Sequence, residues 1–132
     1  MHPERGSSLV EVLVAATIVI IALTSLVHVI VIAAAANQRA RSQTMATILA
    51  QAKMEEMMSD DAVSSGSDYI DSSGNSMDDA VGTPPGAVFA RRWIAQASPG
   101  DPGSFVLQVS VAILHDGLEA ARLASFKTSS LR

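Results

Sequence analysis

The side chain whose position asks for a chemical explanation is Glu11. It stands inside an apolar run, with Leu9 and Val10 before it and Val12 to Ala16 after it. A carboxylate at mid-bilayer costs roughly 2.5–3.5 kcal/mol to insert, and less near the interface. One that persists there either lies at headgroup depth or meets a partner. The remaining candidates for chemistry are sparse. No cysteine is present. His28 falls within the apolar run, and His115 stands beside Asp116 in a turn, where sequence neighbours rarely form a Ser-His-Asp geometry. There is no phosphate-binding glycine loop, no Cys/His set at metal-ligand spacing and no nucleophile elbow. No catalytic residue, metal ligand or cofactor is expected, and the chain does not read as an enzyme. Asp68, Asp71, Asp78 and Asp79 gather acid in one stretch. Their spacing matches no EF-hand loop, and calcium is not expected there.

The element that must position Glu11 runs from Gly6 to Ala36. From Val12 to Ala36 it holds no Asp, Glu, Lys, Arg, proline or glycine. That exceeds the ~20 residues a bilayer-spanning helix needs. Its β-branched content matters little in lipid, where a closed helical ladder is what satisfies the backbone. A secretory signal peptide is the competing reading, because Ala34 and Ala36 precede Asn37 in a small-x-small pattern. Such a peptide has an apolar core of about 7–15 residues. This run is far longer and begins beside a glutamate. Thr17, Thr24, His28 and Ala35 fall on one stripe at ~100° per residue. Small and hydroxylated residues on one face of a membrane helix mark helix–helix contact, with His28 expected to find a hydrogen-bond partner on a neighbour.

Upstream of Glu11 stands Gly6, preceded by the leader MHPER and followed by SSLVE. A short basic leader ending in glycine, a glutamate five residues later and a long apolar helix together resemble the prepilin signature of type IV pilins and type II secretion pseudopilins. The segment MATILAQAKMEEMM, Met45 to Met58, is similar to the minor pilin and minor pseudopilin branch, where a Leu-Ala-x-x-Lys-Met-Glu run follows the span. The resemblance implies cleavage by a prepilin peptidase between Gly6 and Ser7, and N-methylation of Ser7. It implies that Glu11, fifth in the mature chain, meets the N-terminal amine of a neighbouring subunit during assembly. The family usually has Phe then Thr after the cut; here Ser7 and Ser8 stand there. The implied partners are prepilin peptidase, other pilin-like subunits met through the N-terminal helix, and inner-membrane lipid. The implied location is a single pass in a bacterial inner membrane, N-terminus cytoplasmic and C-terminal domain periplasmic, before entry into a filament. The expected function is that of a minor pilin or minor pseudopilin. The alternative, of a different class, is a membrane-anchored periplasmic binding or adaptor module that never enters a filament.

The rest of the chain fills in the fold. With 132 residues it accommodates one domain plus a span. A net charge of −4 without a basic cluster argues against nucleic acid as a partner. The part after the span is small and lacks disulfides, so its core is modest. From Asn37 to Met58 good helix formers continue without a breaker. The expected buried stripe is Met45, Ile48, Leu49 and Ala52, with Met54, Met57 and Met58 elsewhere. The methionines are read as core filler. Ser59 to Gly86 carries six aspartates and no Lys or Arg. It is expected to be a solvated, partly disordered loop in which Tyr69 and Ile70 dock only locally. Three stretches then read as strands: Ala87–Ala97, Phe105–Leu114 and Leu118–Thr128. In the third, EAARLA favours helix, but its place after the His115-Asp116-Gly117 turn favours strand. Trp93 is expected in the core. The predicted class is α+β, a long N-terminal helix, its first half transmembrane, packed on a small antiparallel sheet of about three strands. The divisions are a leader (1–6), a transmembrane and assembly helix (7–36), a periplasmic half of that helix (37–58), a Ser/Gly/Asp-rich loop (59–86) and the sheet (87–132).

Overall fold

The computed structural model describes residues 5–77, 82–101 and 103–128, with side chains from Ser8 onward. The leader residues 1–4, Asp78 and Asp79 lie outside the described residues. One helix, α1 (Arg5–Ser59), is followed by five strands: β1 (Gly66–Asp71), β2 (Ser76–Met77), β3 (Ala87–Ala97), β4 (Ser104–Ile113) and β5 (Leu118–Thr128). The helix is unbroken because the sequence from Ser7 to Ser65 contains neither Gly nor Pro. The chain forms two compact units, Met1–Arg39 and Ala40–Arg132.

The first unit is helix alone. Its described side chains, Ser8 to Arg39, are all exposed. The helix is long and apolar enough to cross a membrane, and no residue of its apolar window is buried among the described residues.

The second unit is the α+β body. Its strands form one antiparallel sheet in the order β2-β1-β3-β4-β5. Residues alternate between the two faces of a strand, so register decides what meets the helix. On β3 the pairing Phe89↔Ile113, Trp93↔Val109 and Ala95↔Leu107 puts one set of apolar side chains on a common face. β5 extends that face with Ala121 opposite Val111 and Leu123 opposite Val109. β1 extends it on the other side with Ile70 opposite Phe89. Leu107, Val109 and Val111 are fully buried, and the C-terminal turns of α1 cover them with Ala46, Leu49, Ala50, Met54 and Met57.

Three expectations are corrected. The sheet has five strands rather than about three, because the acidic loop supplies β1 and β2. Its aspartates read as solvent-seeking, yet two of them are consumed by internal bonds. The Asp71 carboxylate accepts the N–H groups of Ser73 (2.8 Å) and Asn75 (2.9 Å), closing the β1–β2 turn. Asp68 pairs with Arg91, as described below. Ile70, expected to dock only locally, is a central core residue at 1% exposure. The buried stripe of α1 is also rotated by about one residue from the expected one. Ile48 is 52% exposed and Ala52 is exposed, while Met54 and Met57 are buried. Ala46 and Ala50, one turn apart, have side chains small enough to let the helix backbone approach the sheet. Leu118 to Thr128 is strand, as its position after the turn indicates.

Gly66 lies opposite Trp93 in register, and the indole rests against it. A Cβ at Gly66 would stand 2.7 Å from Trp93 Cζ2, closer than a real contact allows. Gly66→Ala is therefore expected to displace the indole and to cost about 1–3 kcal/mol. Trp93 is the one tryptophan in the chain, so its emission reports the change directly. A shifted spectrum with a lowered denaturation midpoint is expected, and an unchanged spectrum and midpoint would contradict the packing.

Candidate functional site

The residues singled out by the sequence all lie on α1 in the first unit. Glu11 is exposed and makes no hydrogen bond or ion pair with any described residue. Ser7 precedes it by one helical turn, so the two positions share a face. The side chain of Ser7 lies outside the described residues. Thr17 and Thr24 donate their hydroxyls to carbonyls one turn back, to Leu13 O and Ile20 O, each at 2.8 Å. Ser25 does the same to Ile21 O. These hydroxyls are satisfied inside their own helix, as apolar surroundings require. His28 has no such local partner among the described residues. Thr17, Thr24, His28 and Ala35 occupy one stripe of a continuous helix, and each is exposed. From Leu9 to Ala36 the helix offers one carboxylate and one imidazole on a surface that is otherwise apolar or internally bonded.

The second unit carries a polar cluster that the sequence reading missed. The Arg91 guanidinium donates from Nε to Asp68 Oδ1 (3.0 Å) and from Nη2 to Asp68 Oδ2 (2.6 Å). It also donates from Nη1 to the carbonyl of Leu49 on α1, at 3.2 Å. Ser76 Oγ donates to Asp68 Oδ2 at 2.8 Å. The pair is mostly buried, at 12% and 14% exposure. Arg91 thus ties β1, β2, β3 and α1 through one planar fork. Beside it, Lys53 Nζ lies 4.1 Å from the centre of the Trp93 ring. Lys127 on β5 donates to Met57 O (2.9 Å) and to Asp60 O, satisfying carbonyls at the end of the helix. The sequence carries half of the signal, since Arg91 alternates in phase with Phe89 and Trp93 and Asp68 with Ile70; the strand register supplies the pairing.

On the opposite face of the sheet lies an open trough of about 280 Å³. Its floor includes Ala90, Ser110 and Ala112, and its walls include Tyr69, Arg92 and Glu119. Glu119 is held by Arg122 in a two-pronged pair, both contacts 2.6 Å. That hydrogen bond keeps the Glu119 carboxyl below its ordinary range and raises the Arg122 guanidinium above its own. The Asp71 carboxyl is likewise lowered, chiefly by the backbone N–H of Asn75. Among the described residues no three of His, Cys, Asp and Glu stand close enough together to hold a metal ion.

Removing Asp68 alone strands the Arg91 guanidinium in a mostly buried place. Asp68→Ala is expected to lower stability by about 3 kcal/mol, and Asp68→Ala with Arg91→Met to recover most of it. Denaturation midpoints of the two variants check this, and equal losses would contradict it.

Compared with family models, with curated proteins and with solved structures, the chain matches none.

Proposed function

We propose that this chain is a minor pilin or minor pseudopilin, a structural subunit of a type IV pilus or a type II secretion pseudopilus. The observation that carries the reading is Glu11. It stands without a described partner on the apolar part of an unbroken helix, five residues after Gly6. The architecture is compatible, with a long N-terminal helix whose C-terminal turns pack on an antiparallel sheet.

The mechanism follows from where charge would be left. A prepilin peptidase cuts between Gly6 and Ser7 at the cytoplasmic face of the inner membrane. The new amine of Ser7, the N-methylation site, lies one turn from Glu11 on the same face. Within one helix the two groups stack along the axis, while between adjacent subunits the carboxylate of one reaches the amine of the next. That contact neutralises both charges as the helix leaves lipid for a bundle of its own kind. The C-terminal unit remains on the periplasmic side and presents its sheet to other subunits.

Two measurements test this. Co-expressed with a prepilin peptidase, the mature chain is expected to have the mass of a protein beginning at Ser7. A start at Asn37 would indicate ordinary signal peptidase, and a start at Met1 would favour the anchored adaptor. Glu11→Gln and Glu11→Leu are expected to insert and be cut normally, yet not to co-purify with other pilin-like subunits. The amine of the neighbour is then left unpaired in a dry place, which costs several kcal/mol. Normal co-assembly by both variants would refute the role of Glu11.

A further inference from the structure

The open face of the sheet is laid out by register. Tyr69, Ala90, Ala112 and Glu119 form one row across four strands, and Ser67, Arg92, Ser110 and Arg122 form the next. In the first row two alanines stand between two long side chains. That difference in length hollows the face into the trough of about 280 Å³. The charges around it are unevenly used. Asp68 is held by Arg91, and Glu119 is held by Arg122. Arg92 is left over. Its guanidinium makes no hydrogen bond, ion pair or ring contact with any described residue. The hydroxyls of Tyr69 and Ser110 are likewise without a hydrogen-bond partner among the described residues.

We infer that the trough receives an aspartate or glutamate side chain of a partner protein, its carboxylate held by Arg92. A guanidinium carries five N–H donors and no acceptor, so what completes it is an acceptor of negative charge. Its planar fork matches a carboxylate through two parallel bonds. Tyr69 and Ser110 lie on the two strands that flank Arg92 in the sheet, and their hydroxyls supply further donors. The carboxylate of Glu119 does not oppose this, because Arg122 already balances it.

Two observations favour a protein over a free anion. The trough is open and, at about 280 Å³, falls just below the ~300–1,000 Å³ of pockets that enclose a whole ligand. It has room for one side chain that arrives as part of a larger surface. The face around it is also apolar where a free anion would gain nothing. Ile94 follows Arg92 by two residues on the same side of β3 and is 43% exposed. Phe126 on β5 lies on that side too, opposite Val106, and is 73% exposed. Arginine beside exposed aromatic and aliphatic groups is the composition of a protein interface. Residues two apart on a strand are separated by about 7 Å. The partner therefore carries an apolar side chain at about that distance from its carboxylate, as residues i and i+2 of an extended segment do. The site lies within the second unit and needs neither a bilayer nor cleavage at Gly6, so it stands or falls separately from the filament role.

Tyr69 is the one tyrosine of the chain, so meta-fluorotyrosine puts a single fluorine reporter in the wall of the trough. The full chain, labelled in this way and held in dodecylmaltoside micelles, is titrated with acetyl-Leu-Ser-Glu-Ser-Leu-amide and with the same peptide carrying Gln in place of Glu. The acidic peptide is expected to shift the fluorine resonance saturably and to bind about 3- to 10-fold more tightly than the neutral one, between the worth of an exposed ion pair and that of a charged hydrogen bond. Arg92→Gln is expected to erase the preference and to leave the emission of Trp93, on the other face, unchanged. Equal binding of the two peptides by the parent chain, or a preference that survives Arg92→Gln, would overturn the inference. So would an equal shift by inorganic phosphate at the same concentration, which marks a site for free anions. A shift that grows with protein concentration alone would overturn it as well, because the occupant is then a second copy of the chain.

Discussion

From Leu9 to Ile32 the helix displays large apolar side chains on every face, and none of them is buried among the described residues. Each such side chain left in water forgoes about 1.5–3 kcal/mol. Summed over the segment, that is on the order of tens of kcal/mol, against a total stability of about 5–15 kcal/mol for an ordinary domain. No rearrangement of a small sheet can offset a deficit of that size. Lipid, or other helices, would supply such cover, and the helix is long and apolar enough to cross a membrane. This constraint accounts for the absence of Gly and Pro over the span, for the back-bonded hydroxyls of Thr17, Thr24 and Ser25, and for the few polar side chains that remain.

The second unit solves a more ordinary problem, a small core without disulfides. It does so by packing the C-terminal turns of α1 on the sheet. Ala46 and Ala50 bring the helix down onto Leu107, Val109 and Val111. Gly66 lets Trp93 lie flat along β1. At the margin of that core Arg91 gives three of its five N–H donors to Asp68 and to Leu49 O. A pair of this kind adds less stability than apolar packing would, but it has one acceptable geometry. Its role is to hold β1, and with it β2, on a sheet whose other three strands are self-sufficient hairpins.

Much of this was legible in the sequence. The ranges of β3 and β5 coincide with the expected ones, and β4 differs by one residue at each end, because hairpins with breaker-rich turns and alternating apolar residues carry their own signal. The continuity of α1 was legible from the lack of breakers. β1 and β2 were not, since Asp and Ser depress every local propensity, and only tertiary partners such as Arg91 justify them. The rotation of the helix stripe was also hidden. Hydropathy ranks Ile48 above Ala46, yet the folded helix buries Ala46 and leaves Ile48 exposed. At the candidate site, Glu11 and His28 stood out because a charge or an imidazole in an apolar run is conspicuous in one dimension. The Asp68–Arg91 pair, divided between two strands, is conspicuous only once the register is known.

The proposed function requires the segment from Val12 to Ala36 to cross a bilayer once, with the second unit on the far side from the N-terminus. Cysteine accessibility in intact and permeabilised cells measures it most directly, because the chain supplies no background thiol. Gln38→Cys is expected to react with a membrane-impermeant maleimide once the reagent reaches the periplasm, while Ala22→Cys stays unlabelled until the bilayer is dissolved. Labelling of Ala22→Cys at the rate of Gln38→Cys, or of Gln38→Cys only after the inner membrane is opened, would contradict it.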